Sequence, residues 1–184
     1  MDLSVLESGS GGEYLRYTVV DPHWMVDDEA CKITKMLFDP DSFMTGFGKL
    51  AKGTAPEWSW AARAGTTIPR PSEDHKPAFL LMVYVKKEHG AAQDGWREWS
   101  SNQASARAGI KKIWKEIHEQ QATNAGKAAI IEITGYDMVS FGPNSQPVPQ
   151  FKLVGWTDKP SAAETAPAAA PVSADVVALA DNNF

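Results

Sequence analysis

The chain has 184 residues, 43% of them hydrophobic, and a formal net charge of −5. That is enough apolar material for one domain, and the net charge argues against nucleic-acid binding through overall charge. The single cysteine, Cys31, excludes an internal disulfide framework and a cysteine-based zinc cage, which suits a reducing cytoplasm.

The opening residues "MDLSVLESGSGGEY" are acidic and polar, unlike a signal peptide. No apolar run approaches the roughly 18 residues needed to cross a membrane. A cytoplasmic location and no membrane partner are therefore expected. Residues 1–12, with their SGSGG run, read as a flexible N-terminus ahead of a folded domain over 13–160.

The domain reads mainly as strands. "YLRYTVV" (14–20) places Leu15, Tyr17 and Val19 on one face, and "CKITKMLF" (31–38) alternates again. "EWSWAARA" (57–64) carries Trp58 and Trp60 on one face. "AFLLMVYVKK" (78–87) is apolar on both faces, as a central strand would be. A short strand follows in "GWREWS" (95–100). "AAIIEITGYDMV" (128–139) is β-branched with Gly135 as a bulge, and "QFKLVGW" (150–156) closes the set.

Residues 100–121 differ. Ile110, Ile113, Trp114 and Ile117 recur at helical spacing, Ser100 with Gln103 resembles a capping box, and "NAG" (124–126) supplies a stop. Gly109, costly by about 1 kcal/mol against alanine, suggests a close backbone approach. A helix before the last two strands is the OB-fold arrangement, so an OB-fold-like five-stranded barrel is expected. A sandwich or a half-open barrel with a capping helix would give the same string.

Catalytic motifs fail one after another. "HEQQA" (118–122) lacks the second histidine of a zinc-protease helix, and "TGFGKL" (45–50) lacks the flanking residues of a phosphate loop. The four histidines are scattered. Cys31 reads as a small core residue, and the D-x-D of "FDPDSF" (38–43) as a turn. No enzyme activity, cofactor or metal site is expected.

The charge is uneven. Residues 1–48 hold three Lys/Arg against nine Asp/Glu, residues 49–127 thirteen against eight, and residues 161–184 none against three. Aromatic and basic residues interleave in that middle stretch. Bases stack on aromatic rings and phosphates need cations, so this pairing is what single-strand binding requires. Trp58, Trp60, Trp96 and Trp99 are the candidate stacking residues, with Tyr84 beside them. Arg63, Arg70, Lys86, Lys87 and Arg97 are the candidate phosphate contacts. Core packing competes as a reading of Trp58 and Trp60. Trp24, Trp114 and Trp156 are assigned to the core, and Lys111, Lys112 and Lys115 to a solvated helix face.

From position 161 the chain carries nine alanines and two prolines, and should be a disordered tail. It regains apolar character at its tip, "VALADNNF". Asp175, Asp181 and Phe184 after an Ala/Pro linker resemble the C-termini of bacterial and phage single-stranded DNA-binding proteins, most closely the diverse phage-encoded members. Asn182 and Asn183 stand where that family carries further aspartates. The resemblance implies an OB-fold core that coats single-stranded DNA during replication or recombination in a bacterial host's cytoplasm. It also implies a tip, here Asp181 and Phe184, that recruits replication or repair proteins. An ordinary frayed terminus is the plain alternative for the tail. For the whole chain the alternatives are a protein-interaction module without nucleic-acid activity and an RNA-binding OB-like domain. A homo-oligomer is possible in either case.

Overall fold

The computed structural model describes residues 14–61 and 66–161. The N-terminus, Arg63 and the tail with Asp175, Asp181 and Phe184 therefore lie outside the described residues.

The described chain is mainly β: nine strands, one α-helix and two short 3-10 turns. β1 (Leu15–Thr18), β2 (His23–Val26) and β3 (Glu29–Cys31) form a small antiparallel meander. The β2–β3 link is the pair Asp27-Asp28, both at positive φ (49° and 68°). Two such residues make the type I′ turn whose twist suits a tight hairpin.

The main sheet holds β4 (Lys35–Lys49), β5 (Glu57–Trp60), β6 (Lys76–Val85), β7 (Gly95–Ser101), β8 (Lys127–Phe141) and β9 (Asn144–Asp158). Its order is β7-β6-β4-β8-β9, all antiparallel, with β5 paired to the second half of β4. Neither sheet closes on itself, and the strand number exceeds the five expected.

β4 can serve three neighbours because it is long and bulged between Asp39 and Met44. The D-x-D read as a turn is this bulge. Lys159, just past β9, donates to Asp39 Oδ1 at 2.7 Å and to Asp41 Oδ2 at 2.8 Å. The register of β8 on β9 slips at Gly135 (φ 148°), the bulge expected there. Their hairpin turns through Gly142-Pro143, with Gly142 at φ 62°, as the first central residue of a II′ turn requires.

α1 (Ala104–Gln121) follows β7. The expected capping box does not form, because Ser100 is still pairing with Leu80 in the ladder and the helix begins after Gln103, whose side chain makes no cap. α1 buries Ile110, Ile113 and Ile117 against the sheet. A side chain at Gly109 would meet the Pro149 carbonyl oxygen at 2.8 Å, so glycine is what lets the helix lie directly on β9.

The core is aromatic. Trp24 and Trp99, both fully buried, meet edge to face at 5.0 Å, and Phe79 packs on Trp99 at 4.9 Å. The meander fills the gap between the two end strands of the main sheet. Tyr14 bridges to Glu98 on β7, while the Tyr17 hydroxyl donates to the Pro147 carbonyl on β9 at 2.8 Å. Burial, then the neighbouring Tyr136, raises the Tyr17 phenol's pKa and keeps it a neutral donor.

Candidate nucleic-acid interface

Strand alternation decides which of the expected site residues reach the surface. Along β7, Arg97, Trp99 and Ser101 point inward, while Trp96, Glu98 and Ser100 point outward. Trp99, expected at the surface, is core: it is fully buried, and no base can reach it. Arg97 is 1% exposed. Its Nε donates to Asp27 Oδ2 and its Nη1 to the Trp96 carbonyl, each at 2.9 Å. It anchors the meander to β7 rather than tracking a phosphate.

The outward face of β6, β7 and β4 carries aromatic residues at both ends. At one end Trp96 packs edge to face on Tyr84, with ring centres 5.4 Å apart. Tyr84 is 4% exposed, which corrects its assignment as a stacking residue. The Trp96 indole N–H donates to the Pro160 carbonyl at 3.0 Å, which ties the chain leaving β9 to the partly buried Trp96. Lys86 here forms an ion pair with Glu88 at 3.3 Å, and Lys87 is exposed.

At the other end Trp58 and Trp60 stack on each other, 5.1 Å apart and 17° from parallel. They face Gly48 and Gly46 across the β4–β5 pair. A side chain at Gly48 would collide with the Trp58 ring at 2.1 Å, and one at Gly46 would meet Trp60 at 2.9 Å. The glycines are thus a floor on which the indoles lie, and the indoles are partly buried. Eight residues of β6 separate Ala78, beside this pair, from Lys86, about 26 Å of strand. Lys86 and Lys87 therefore do not converge on it. Arg70 spends its donors on its own loop, bonding the carbonyls of His75 (2.6 Å) and Glu73.

Lys76, not singled out in the sequence, lies near the pair instead, and a set of cations lines α1. Lys76 stands opposite Gly48 in the ladder and is exposed. Lys76 and Arg107 line one groove with Asn102 and Gln103. Arg107 also lines a second groove, floored by Phe43, Phe79 and Trp114, together with Lys111 and Lys115. Gly46, beneath Trp60, borders that groove too. Arg107, Lys111 and Lys115 recur every four residues and so form one ridge on α1, about 6 Å apart along its axis. Burial lowers the pKa of Arg107, and its buried Nε has no hydrogen-bond partner among the described residues. The i, i+4, i+8 spacing beside Trp114 was the legible signal. Trp114 itself is partly buried and stacked on Phe43 at 3.7 Å.

Among the described residues no group of three or more His, Cys, Asp or Glu is placed to hold a metal, and no helix is long and apolar enough to cross a membrane. Compared with known proteins, the chain matches no family model, no curated protein and no solved structure.

Proposed function

We propose that this protein binds single-stranded DNA without reading its sequence, in replication or recombination. The observation that carries the reading is the stacked Trp58–Trp60 pair, partly buried on its glycine floor, with Lys76 close by across β4 and a separate cationic ridge of Arg107, Lys111 and Lys115 on α1. Bases would stack on the indoles, while the cations would meet phosphates.

The fold supports it. In an OB-fold the first strand pairs with the second and fourth, the third with the second, the fifth with the fourth, and a helix joins third to fourth. β4, β6, β7, β8 and β9 pair in that order, with α1 between β7 and β8. On this reading the barrel is open between β7 and β9, where the N-terminal meander sits. The indole pair lies in the connection between the first two barrel strands, one of the loops that OB-folds use for ligands.

The test is a titration of intrinsic tryptophan fluorescence with oligo-dT at low and high salt. Strong quenching that weakens as salt rises is expected. Replacing Lys111 and Lys115 with alanine should lower the slope of log affinity against log salt by about 1 for each of the two lysines that meets a phosphate. Absence of quenching at low salt would overturn the reading. Tighter binding of oligo-rU than of oligo-dT would move it to RNA.

A further inference from the structure

The surface beside Trp58 has an acidic character. A groove of about 530 Å³ runs between the N-terminal meander and β5, within the range of ligand-sized clefts. Its apolar walls come from Tyr14, Leu50, Pro56 and Trp58. Tyr14 and Leu50 are about half exposed, at 52% and 50%. Among the described residues its charged groups are Asp27, Asp28 and Glu98, with Arg16 as the cation lining it. Arg16 already pairs with Asp28 at 3.3 Å, and Asp27 with the buried Arg97. Glu98 accepts a hydrogen bond from Ser100 and stands outward on β7. Counting Arg97 behind Asp27, three carboxylates face two cations, which leaves Glu98 as the uncompensated charge beside exposed aromatic and aliphatic surface.

Phosphates would be repelled here, so the groove is unsuited to the DNA backbone. We propose that it docks a basic segment of a partner protein, a lysine or arginine laying its aliphatic stem on Leu50 and Trp58 and directing its charge to Glu98 and Asp28. Lysine and arginine side chains are amphipathic in the same sense as this groove, and an indole face attracts their cationic ends. The charge complementarity chooses a basic partner over an acidic one. The site adjoins the proposed DNA track and shares Trp58 with it, but its charged groups are its own.

The experiment is fluorescence anisotropy at low salt with a fluorescein-labelled heptapeptide, Gly-Lys-Pro-Lys-Leu-Lys-Gly, against its counterpart with glutamate in place of each lysine. The lysine peptide should bind, more weakly as salt rises, and the glutamate peptide should not. The double variant Glu98→Gln, Asp28→Asn should weaken binding about fivefold or more, and Trp58→Ala about threefold. Asparagine tolerates the left-handed backbone at position 28, and Asp27 is left intact because it holds Arg97. Equal binding of both peptides, or unchanged affinity in a double variant with wild-type Tm, would overturn the proposal. Should that variant unfold, the salt dependence of the wild type decides: affinity insensitive to salt refutes the ionic docking. Oligo-dT binding reports separately, since the same double variant should bind it as well as the wild type or more tightly. Peptide binding without oligo-dT binding would sink only the DNA reading.

Discussion

Two tryptophan sites share one face of one sheet and come to opposite ends. Trp96 sits on Tyr84 with its indole N–H held by Pro160, and its ring is partly buried. Trp58 and Trp60 sit on glycines, stacked on each other and likewise partly buried. Local composition does not separate them, since each lies beside charged residues in a strand. What differs is the neighbour. A tyrosine and a returning chain tie Trp96 down, whereas two glycines underlie Trp58 and Trp60. An aromatic residue becomes a binding surface when its partners support one ring face and leave the other to solvent.

Breaking the covered site should cost stability and nothing else. Trp96→Ala should lose about 2 kcal/mol in denaturant unfolding, less than the ~3–5 kcal/mol of a fully buried tryptophan, with oligo-dT affinity unchanged. Blocking the platform should cost both. Gly48→Val drives a side chain into the Trp58 ring, and overpacking of this kind costs about 1–3 kcal/mol; the oligo-dT quench should fall with it. Emptying the platform should cost binding alone. Trp60→Ala should weaken oligo-dT binding by about 1–3 kcal/mol with a smaller Tm change than Trp96→Ala, and an unchanged affinity would remove the indole pair from the interface.

The smallest effect lies in the clasp beside Pro160. The hydrogen bond from Lys159 is the largest influence on Asp41 and lowers its pKa. Burial works against the charge on Lys159, but Asp39 and Asp41 together outweigh it and raise its pKa. A lowered carboxylate stabilises the fold above its unfolded pKa, and that contribution is lost as pH falls through the lower folded value. A raised lysine stabilises below its unfolded pKa, and its contribution is lost as pH rises through the higher folded value. The Tm difference between wild type and Lys159→Ala should therefore be flat from about pH 5 to pH 9 and shrink beyond both ends. With Asp41 half-exposed, it should stay within about 1 kcal/mol.

The mainly β character, the helix, the Gly135 bulge and the close approach at Gly109 were all legible, because each rests on local periodicity or on one glycine. The inward turn of Trp99 was legible too. In a strand Trp96 and Trp99 are three apart and must face opposite ways, so bracketing Arg97 between them conflicted with the period of two. Of the meander, β1 was read but β2 and β3 were missed, because their hairpin turn is Asp-Asp, a weaker signal than the usual Asn-Gly. The covering of Tyr84 could not be read, since Pro160 lies far along the chain. Nor could the acidic groove beside Trp58, which arises when β1–β3 are brought next to β5.

The meander that fills the gap also sets an order on events. β1, β2 and β3 are synthesised first and pair locally, so the small sheet can form early. Its docking surface does not exist until much later, because Asp27 waits for Arg97 and Tyr17 for Pro147, 70 and 130 residues downstream. The Tyr17 hydroxyl finds its acceptor only once β9 is made, whereas Trp24 can already pack on Trp99 when β7 is present. Among the described strands, the last to appear thus completes the enclosure of the first.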